Sequence, residues 1–226
     1  MKKILFSVLF ACMMVICVQA QVFVGGSFGF DYSEYKESSG STTYKGPAVF
    51  AFEFSPMVGF YLTDNFAIGT KINLGVFGMN DREDKPTKDQ ATLIGFSPFI
   101  RNNLVSVGNL SLLLETSVGV NAISSKSTYE SVSVDGPSAL IVGISAVPIL
   151  SYNFTDRLSI EMHTNILRLG LGTSVVKEKF GSTEYKDTNT YFGFGVNPSG
   201  LSSTIMNEFD ILINETPFQI GMVFKF

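Results

Sequence analysis

The sequence is poor in the residues that build metal centres, disulfide frameworks and histidine-based active sites. Of its 226 residues only two are cysteine, Cys12 and Cys17, one is histidine and none is tryptophan. Both cysteines lie in the first twenty residues, so the rest of the chain holds no disulfide scaffold and no cysteine-based metal site. Only 16% of the residues are charged and 45% are hydrophobic, which excludes a disordered chain. A formal net charge of −4 argues against a general nucleic-acid binder.

The first twenty residues have the pattern of a secretory signal peptide. Two lysines precede an apolar run, and residues 18–20 supply small side chains where a signal peptidase needs them. We expect cleavage between Ala20 and Gln21, which leaves 226 − 20 = 206 residues with a net charge of (16 − 2) − 20 = −6. One alternative is a retained transmembrane helix, for which the run is short. The other is a lipoprotein signal, but residues 9–12 fit a lipobox poorly.

Beyond residue 20 the chain alternates large apolar residues with small or polar ones, which is the period of a β-strand. No run there approaches 18 apolar residues, so no transmembrane helix is expected after cleavage. The alternation predicts eight strands, most of them long enough to cross a membrane, which takes about 9–11 residues. The predicted strands are 21–33, 48–62, 66–78, 92–102, 110–121, 140–154, 158–166 and 217–226.

Short and long connections alternate along the chain. The long ones are 34–47, 79–91, 122–138 and 170–216. An even number of strands with this layout is typical of an outer-membrane barrel with short periplasmic turns and long surface loops. The segment 170–216 has two interpretations: residues 173–179 and 184–197 form a hairpin, or part of this stretch extends the eighth strand.

The alternation alone does not decide which face of the strands lies outside. A soluble periplasmic barrel would bury the large apolar face, and an outer-membrane barrel would expose it to lipid. The export signal favours the membrane, as does the glycine and serine on the polar face, because a narrow barrel interior requires small side chains. A sheet in lipid also has to close, since open edges leave backbone amides unpaired. We therefore predict an all-β fold for residues 21–226, an eight-stranded antiparallel up-and-down transmembrane β-barrel.

Several segments resemble small outer-membrane β-barrel proteins of Bacteroidetes, which are often labelled porin-family proteins and are similar to OmpA/OmpX-type barrels. These segments are the turns at 62–66 and 154–158, the strand at 95–99 and the terminal residues 221–226. The resemblance implies the bacterial outer membrane and insertion by the barrel-assembly machinery, and it implies no shared substrate. The assembly signal would be the alternating apolar residues Phe218, Ile220, Met222, Phe224 and Phe226.

The charged residues on the small-residue face are the main candidates for a functional set. Besides Asp31, they form a predicted polar network in the lumen: Glu53, Lys71, Arg101, Glu115, Glu161, His163 and Lys225. An eight-stranded interior is filled by side chains, so buried charges there have to pair. We expect ion pairs among Glu53, Lys71 and Glu115 at mid-height. The charges of Arg101, Glu161 and Lys225 are expected nearer the periplasmic rim.

No residue set stands out as catalytic, cofactor-binding or metal-binding. His163 shares its face with Ser159 and Glu161, but side chains two residues apart on a strand stand about 7 Å apart, beyond hydrogen-bond reach. The charged run at 81–89 contains cations that would oppose binding of Ca²⁺. The sequence therefore predicts a protein that is not an enzyme and carries no cofactor.

The leading hypothesis is a non-enzymatic outer-membrane barrel that acts structurally or binds through its long surface loops. A small-solute or ion channel is the alternative, and a lipid- or peptide-modifying enzyme is third. The expected partners are outer-membrane lipids, including lipopolysaccharide, and the barrel-assembly machinery; no nucleic acid is expected, and the chain should be a monomer. Aromatic girdles are expected from Phe30, Tyr32, Phe50 and Phe52 at one rim and from Phe60, Phe66, Tyr152 and Phe226 at the other.

Overall fold

The computed structural model describes residues 21–39, 42–80, 87–129, 131–164, 167–180, 183–196 and 218–226. The predicted signal peptide, residues 1–20, lies outside this part. The described residues form ten antiparallel strands: β1 (Gln21–Ser39), β2 (Thr42–Thr63), β3 (Phe66–Asn80), β4 (Thr87–Val107), β5 (Leu110–Tyr129), β6 (Val132–Asn153), β7 (Leu158–Thr164), β8 (Leu167–Phe180), β9 (Thr183–Val196) and β10 (Phe218–Lys225). Among them there is no helix of a length and hydropathy that would span a membrane.

The strands form a closed ring. Each strand from β1 to β6 pairs with the next one in the chain, and β10 pairs with both β7 and β1. β7 and β8 pair one after the other with β6, so together they fill the seventh position. On the far side of that position β10 pairs with β7, and β9 pairs with β8. The ten strands thus occupy eight positions of an antiparallel up-and-down β-barrel, in agreement with the predicted fold class.

The stagger of the barrel follows from the register of its strands. From Phe28, paired residues lead across β2, β3 and β4 to Ala122 on β5. In the other direction they lead across β10, β7 and β6 to Leu112 on β5. The two end points differ by 122 − 112 = 10 residues, which is the shear of the barrel. With standard strand spacings, eight strands of this shear tilt by about 40° and enclose a radius of about 8 Å.

Large apolar residues cover the outside of the barrel. On β4, Phe99 and Arg101 are buried, whereas Phe96 and Ile100 are exposed. Odd-numbered residues face the interior in this way through β7 and again in β10, where Val223 is buried. The pleat of a strand sends alternate side chains to opposite faces, so the even-numbered apolar residues form the outer surface.

The inward face changes from odd to even numbers between β7 and β8. Ile149 on β6 pairs with His163, and Ala146 pairs with Leu169. Between these two pairings β6 spans 149 − 146 = 3 residues, whereas the facing segment from β7 to β8 spans 169 − 163 = 6 residues. Three additional residues are an odd number, so Val176 is buried while Leu169 is exposed.

The long surface loops predicted at 34–47, 79–91 and 122–138 are wrong, because most of these residues belong to strands. β1 and β2 stay paired up to Ser39 and Thr42, and β5 and β6 up to Tyr129 and Val132. Backbone hydrogen bonds between strands do not require an apolar face. Where the strands extend past the apolar exterior, large and small residues no longer alternate, so the sequence no longer indicates a strand. The segment at 170–216 contains the β8–β9 hairpin, as the first interpretation held; residues 197–217 lie outside the described part.

Candidate functional site

Side chains fill the barrel interior in layers. We call the end with the turns 64–65, 108–109 and 154–157 the short-turn end and the opposite one the hairpin end. The lower apolar layer, toward the short-turn end, consists of Phe23, Met57, Ala67, Phe99 and Val223, with Tyr61 packed against it. The upper apolar layer, toward the hairpin end, consists of Ala51, Phe77, Ala91, Ile123, Ala139 and Val176. Polar and ionised side chains lie between these layers and within the lower one.

An ionised chain of four residues crosses the lower half of the lumen and ends at a histidine. Lys71 Nζ donates to Glu115 Oε1 at 2.6 Å. Arg101 Nε donates to Glu115 Oε2 at 2.9 Å, and Arg101 Nη1 donates to Glu161 Oε1 at 3.0 Å. His163 Nε2 lies 3.1 Å from Glu161 Oε2. The chain joins β3, β5, β4 and β7, so it ties together walls that are not neighbours in the sheet.

Arg101 is the centre of this chain. Its side chain is 3% exposed, and those of Glu115 and Glu161 are 2% and 1% exposed. The guanidinium carbon lies 4.9 Å from the centroid of the Phe99 ring, and Nη2 lies 3.0 Å from the sulfur of Met57. A planar cation that bonds two carboxylates and stacks on an aromatic ring uses all the features that distinguish arginine from lysine. The formal charges of the two cations and two carboxylates cancel, as burial requires.

Neutral hydrogen bonds cross the lumen above the ionised chain. Asn73 Nδ2 donates to Ser97 Oγ at 2.8 Å and to Asn121 Oδ1 at 3.0 Å. Ser55 Oγ lies 3.4 Å from Asn73 Oδ1 on the other side. One asparagine on β3 therefore connects β2, β4 and β5, which satisfies polar groups that burial would otherwise penalise.

A second polar bridge spans the place where the ring closes. Gln219 on β10 donates from Nε2 to Glu53 Oε2 at 2.6 Å and accepts from Ser27 Oγ at 2.8 Å. β10 is thereby joined to β1, its direct neighbour, and to β2 beyond it. The bridge links the last strand of the chain to the first two through side chains as well as through backbone pairing.

The structure changes the expected grouping of the predicted lumen residues. Arg101 and Glu115 are direct cross-strand partners at one level, so the separation into a mid-height group and a rim group does not hold for them. Glu53 accepts its hydrogen bond from Gln219, and Lys225 Nζ lies 5.1 Å from the Tyr61 ring centroid.

The predicted separation of His163 from Glu161 is wrong. Side chains two residues apart on a strand usually stand beyond hydrogen-bond reach, yet His163 and Glu161 approach to 3.1 Å. Both side chains are long enough to lean toward each other across the distance between their backbones. Glu161 is engaged by Arg101 at the same time. Among the residues that the structure describes, no group of three or more His, Cys, Asp or Glu is placed to hold a metal ion.

Sequence reasoning missed the apolar part of the interior. Phe23, Phe77, Phe99 and Ile123 all lie on the inward face and are at most 3% exposed. The signal was present, because each occupies an odd-numbered position in a strand whose other odd-numbered residues are mostly small or polar. Gln219 and Asn73 were missed as well, because the predicted network rested on charged groups and both side chains are neutral.

Comparison with known proteins gives likenesses to solved structures only. No protein-family model matches the chain, and no curated protein matches it. Neisserial surface protein A is 9% identical, with 91% of this chain and 97% of that one covered and a TM-score of 0.35. A major outer membrane protein from Thermus thermophilus is 13% identical, with 92% and 100% covered and a TM-score of 0.47. Ail, the attachment invasion locus protein of Yersinia pestis, is 9% identical, with 92% and 97% covered and a TM-score of 0.36.

Proposed function

We propose that this chain is an integral barrel of the bacterial outer membrane without enzymatic activity, one of the small porin-family barrels of Bacteroidetes. A single observation carries the proposal: the barrel is apolar outside and ionised inside. Ile94 is 61% exposed on the outer face, while Glu161 is 1% exposed in the lumen. A barrel surrounded by water would have the opposite arrangement, because exposed apolar surface on this scale favours association. Lipid is the solvent that suits such an exterior.

The height of the apolar exterior fits a bilayer. On β5 the outward residues are apolar, apart from Thr116, from Leu110 to Ala122, and Ser124 and Lys126 follow. These 122 − 110 = 12 residues, at a tilt of about 40°, rise about 30 Å along the barrel axis, which is the thickness of a hydrocarbon core. The strands continue beyond this height only at the hairpin end, so we place that end outside the cell.

The filled lumen favours a structural or surface-binding role over a channel. Two apolar layers and the ionised chain occupy a radius of about 8 Å, which is the size that side chains alone can fill. Recognition would then lie with the hairpins that rise above the lipid. The proposed partners are outer-membrane lipids, including lipopolysaccharide, and the barrel-assembly machinery, with no nucleic acid. The machinery would read the outward apolar residues of β10 and the terminal Phe226.

Single-channel recording tests the proposed closed lumen. The purified chain, refolded in planar bilayers, should give no discrete openings, and Lys71→Ala should stay silent because the layers above and below it remain. Reproducible openings whose ion selectivity changes in Lys71→Ala or Glu115→Ala would establish the channel instead. A gel shift between heated and unheated samples confirms beforehand that each variant is folded.

The membrane location has its own test. Cells that express the full chain should retain it in the outer-membrane fraction, and it should leave that fraction only in detergent. Recovery of folded protein in the periplasmic extract without detergent would contradict the proposal and support the soluble barrel.

A further inference from the structure

Six aromatic side chains stand side by side on the outer face of β1 and β2. They form three consecutive cross-strand pairs: Phe28 with Phe54, Phe30 with Phe52, and Tyr32 with Phe50. We call these six residues the aromatic wall. Five of them are strongly exposed: Phe28 by 53%, Phe30 by 67%, Tyr32 by 52%, Phe52 by 45% and Phe54 by 42%.

The aromatic wall is not the girdle that the sequence suggested. Its pairs follow one another up two neighbouring strands, whereas a girdle runs around the barrel at one height. On the opposite side the outward residues of β5 and β6 are aliphatic at the corresponding depth, including Val118, Val120, Val142 and Ile144. At this depth the exterior therefore has one aromatic side and one aliphatic side.

We propose that the aromatic wall is the site where a second copy of this chain binds within the membrane. The inference rests on the membrane location proposed above. The five strongly exposed side chains present about 500 Å² of apolar surface, taking about 200 Å² for each ring. Two copies would bury about twice that, which reaches the lower limit of a specific interface. Outward neighbours such as Leu74 and Ile220, 39% and 53% exposed, extend the area further.

The physics of the bilayer favours a second copy over lipid at this surface. Acyl chains are as apolar as the barrel exterior, so no hydrophobic force drives association and packing decides. Rings on a β-sheet are rigid, and ring pairs gain energy from their geometry beyond the area they bury. A two-fold axis along the membrane normal brings each wall against its own copy, so one aromatic patch is sufficient for both sides of the interface.

Cysteine cross-linking tests the interface directly, because the chain has no cysteine after residue 17. Phe52→Cys, near the middle of the wall, should form a disulfide-linked dimer when native membranes are oxidised. Phe96→Cys is the matched control, because Phe96 is 54% exposed on β4, away from the wall. Equal cross-linking at both positions would indicate random collision and overturn the proposal. No cross-linking at Phe52, in a sample whose heat shift shows a folded barrel, would show that the wall faces lipid.

A second measurement avoids the introduced thiol. The mass of the detergent-solubilised chain should correspond to a dimer, and Phe30→Leu with Phe52→Leu should weaken the dimer about tenfold. Phe96→Leu should leave the dimer unchanged. A monomer in the unaltered chain, or equal weakening by both substitutions, would overturn the interface and restore the monomer expected from the sequence. Neither result bears on whether the barrel is in the outer membrane, which fractionation reports.

Discussion

Replacing Arg101 by methionine is expected to lower the free energy of unfolding by about 3–5 kcal/mol. Methionine keeps much of the volume of the arginine side chain, so the loss of stability comes from removal of the positive charge. Arg101 lies between Glu115 and Glu161, whose side chains are 2% and 1% exposed. Two contacts join the Glu161 carboxylate to the ionised chain, one with Arg101 and one with His163. Without the guanidinium, only the contact with His163 remains. A carboxylate left without its cation in a buried site costs far more than an exposed ion pair contributes.

The measurement is denaturant unfolding in lipid vesicles, followed by circular dichroism because the chain has no tryptophan. Adding Glu161→Gln to Arg101→Met should recover part of the loss, since Glu115 still has Lys71 at 2.6 Å. Arg157→Met, at an exposed turn, is the control and should change stability by less than about 0.5 kcal/mol. A loss in Arg101→Met that is no larger than in this control would mean that the ionised chain contributes nothing to stability.

The fold could be predicted further from sequence than the site could. Alternation of large and small residues located all eight strand positions, because an apolar exterior and a narrow interior impose opposite demands on consecutive residues. The same rule placed Arg101, Glu115 and Glu161 on one face. It carried no information on which of them meet, because partners across a barrel of shear 10 depend on the register of every strand between them.

Two features escaped the alternation for physical reasons. Past the apolar exterior, large apolar residues no longer alternate with small ones along the hairpins, so the sequence of segments such as 122–138 predicts loops although their backbones are paired. Between His163 on β7 and Leu169 on β8 the chain has three residues more than β6 opposite, which reverses the inward face, and a pattern of period two does not reveal an insertion of odd length. Phe77 also departs from the alternation, because it is a large apolar residue on the inward face. From the sequence alone, such a residue looks the same as a strand whose inward and outward faces were assigned the wrong way round.

The largest expected loss from an apolar residue is at Phe77. Phe77→Ala should lower the free energy of unfolding by about 3–5 kcal/mol. The ring is fully buried in the upper apolar layer, and its cross-strand partners on both sides are alanines, Ala51 and Ala91. The two alanines have no side chain that can move into the space, so closure of the cavity would depend on Ile123 and Val176, the larger members of the layer. Phe96→Ala, on the outer face, removes the same atoms without leaving a cavity and should cost much less.

Conductance measured on Phe77→Ala shows whether the ring only stabilises the barrel or also closes it to ions. Phe77→Ala opens the upper layer, but Phe23, Phe99 and the ionised chain still fill the lumen nearer the short-turn end. The variant should therefore lose stability and remain silent in planar bilayers. Openings should arise only when Phe77→Ala is combined with both Arg101→Ala and Phe99→Ala, which together open the lower obstruction as well. Currents in Phe77→Ala alone would mean that the lower layer does not close the barrel, and the upper layer would then be its gate.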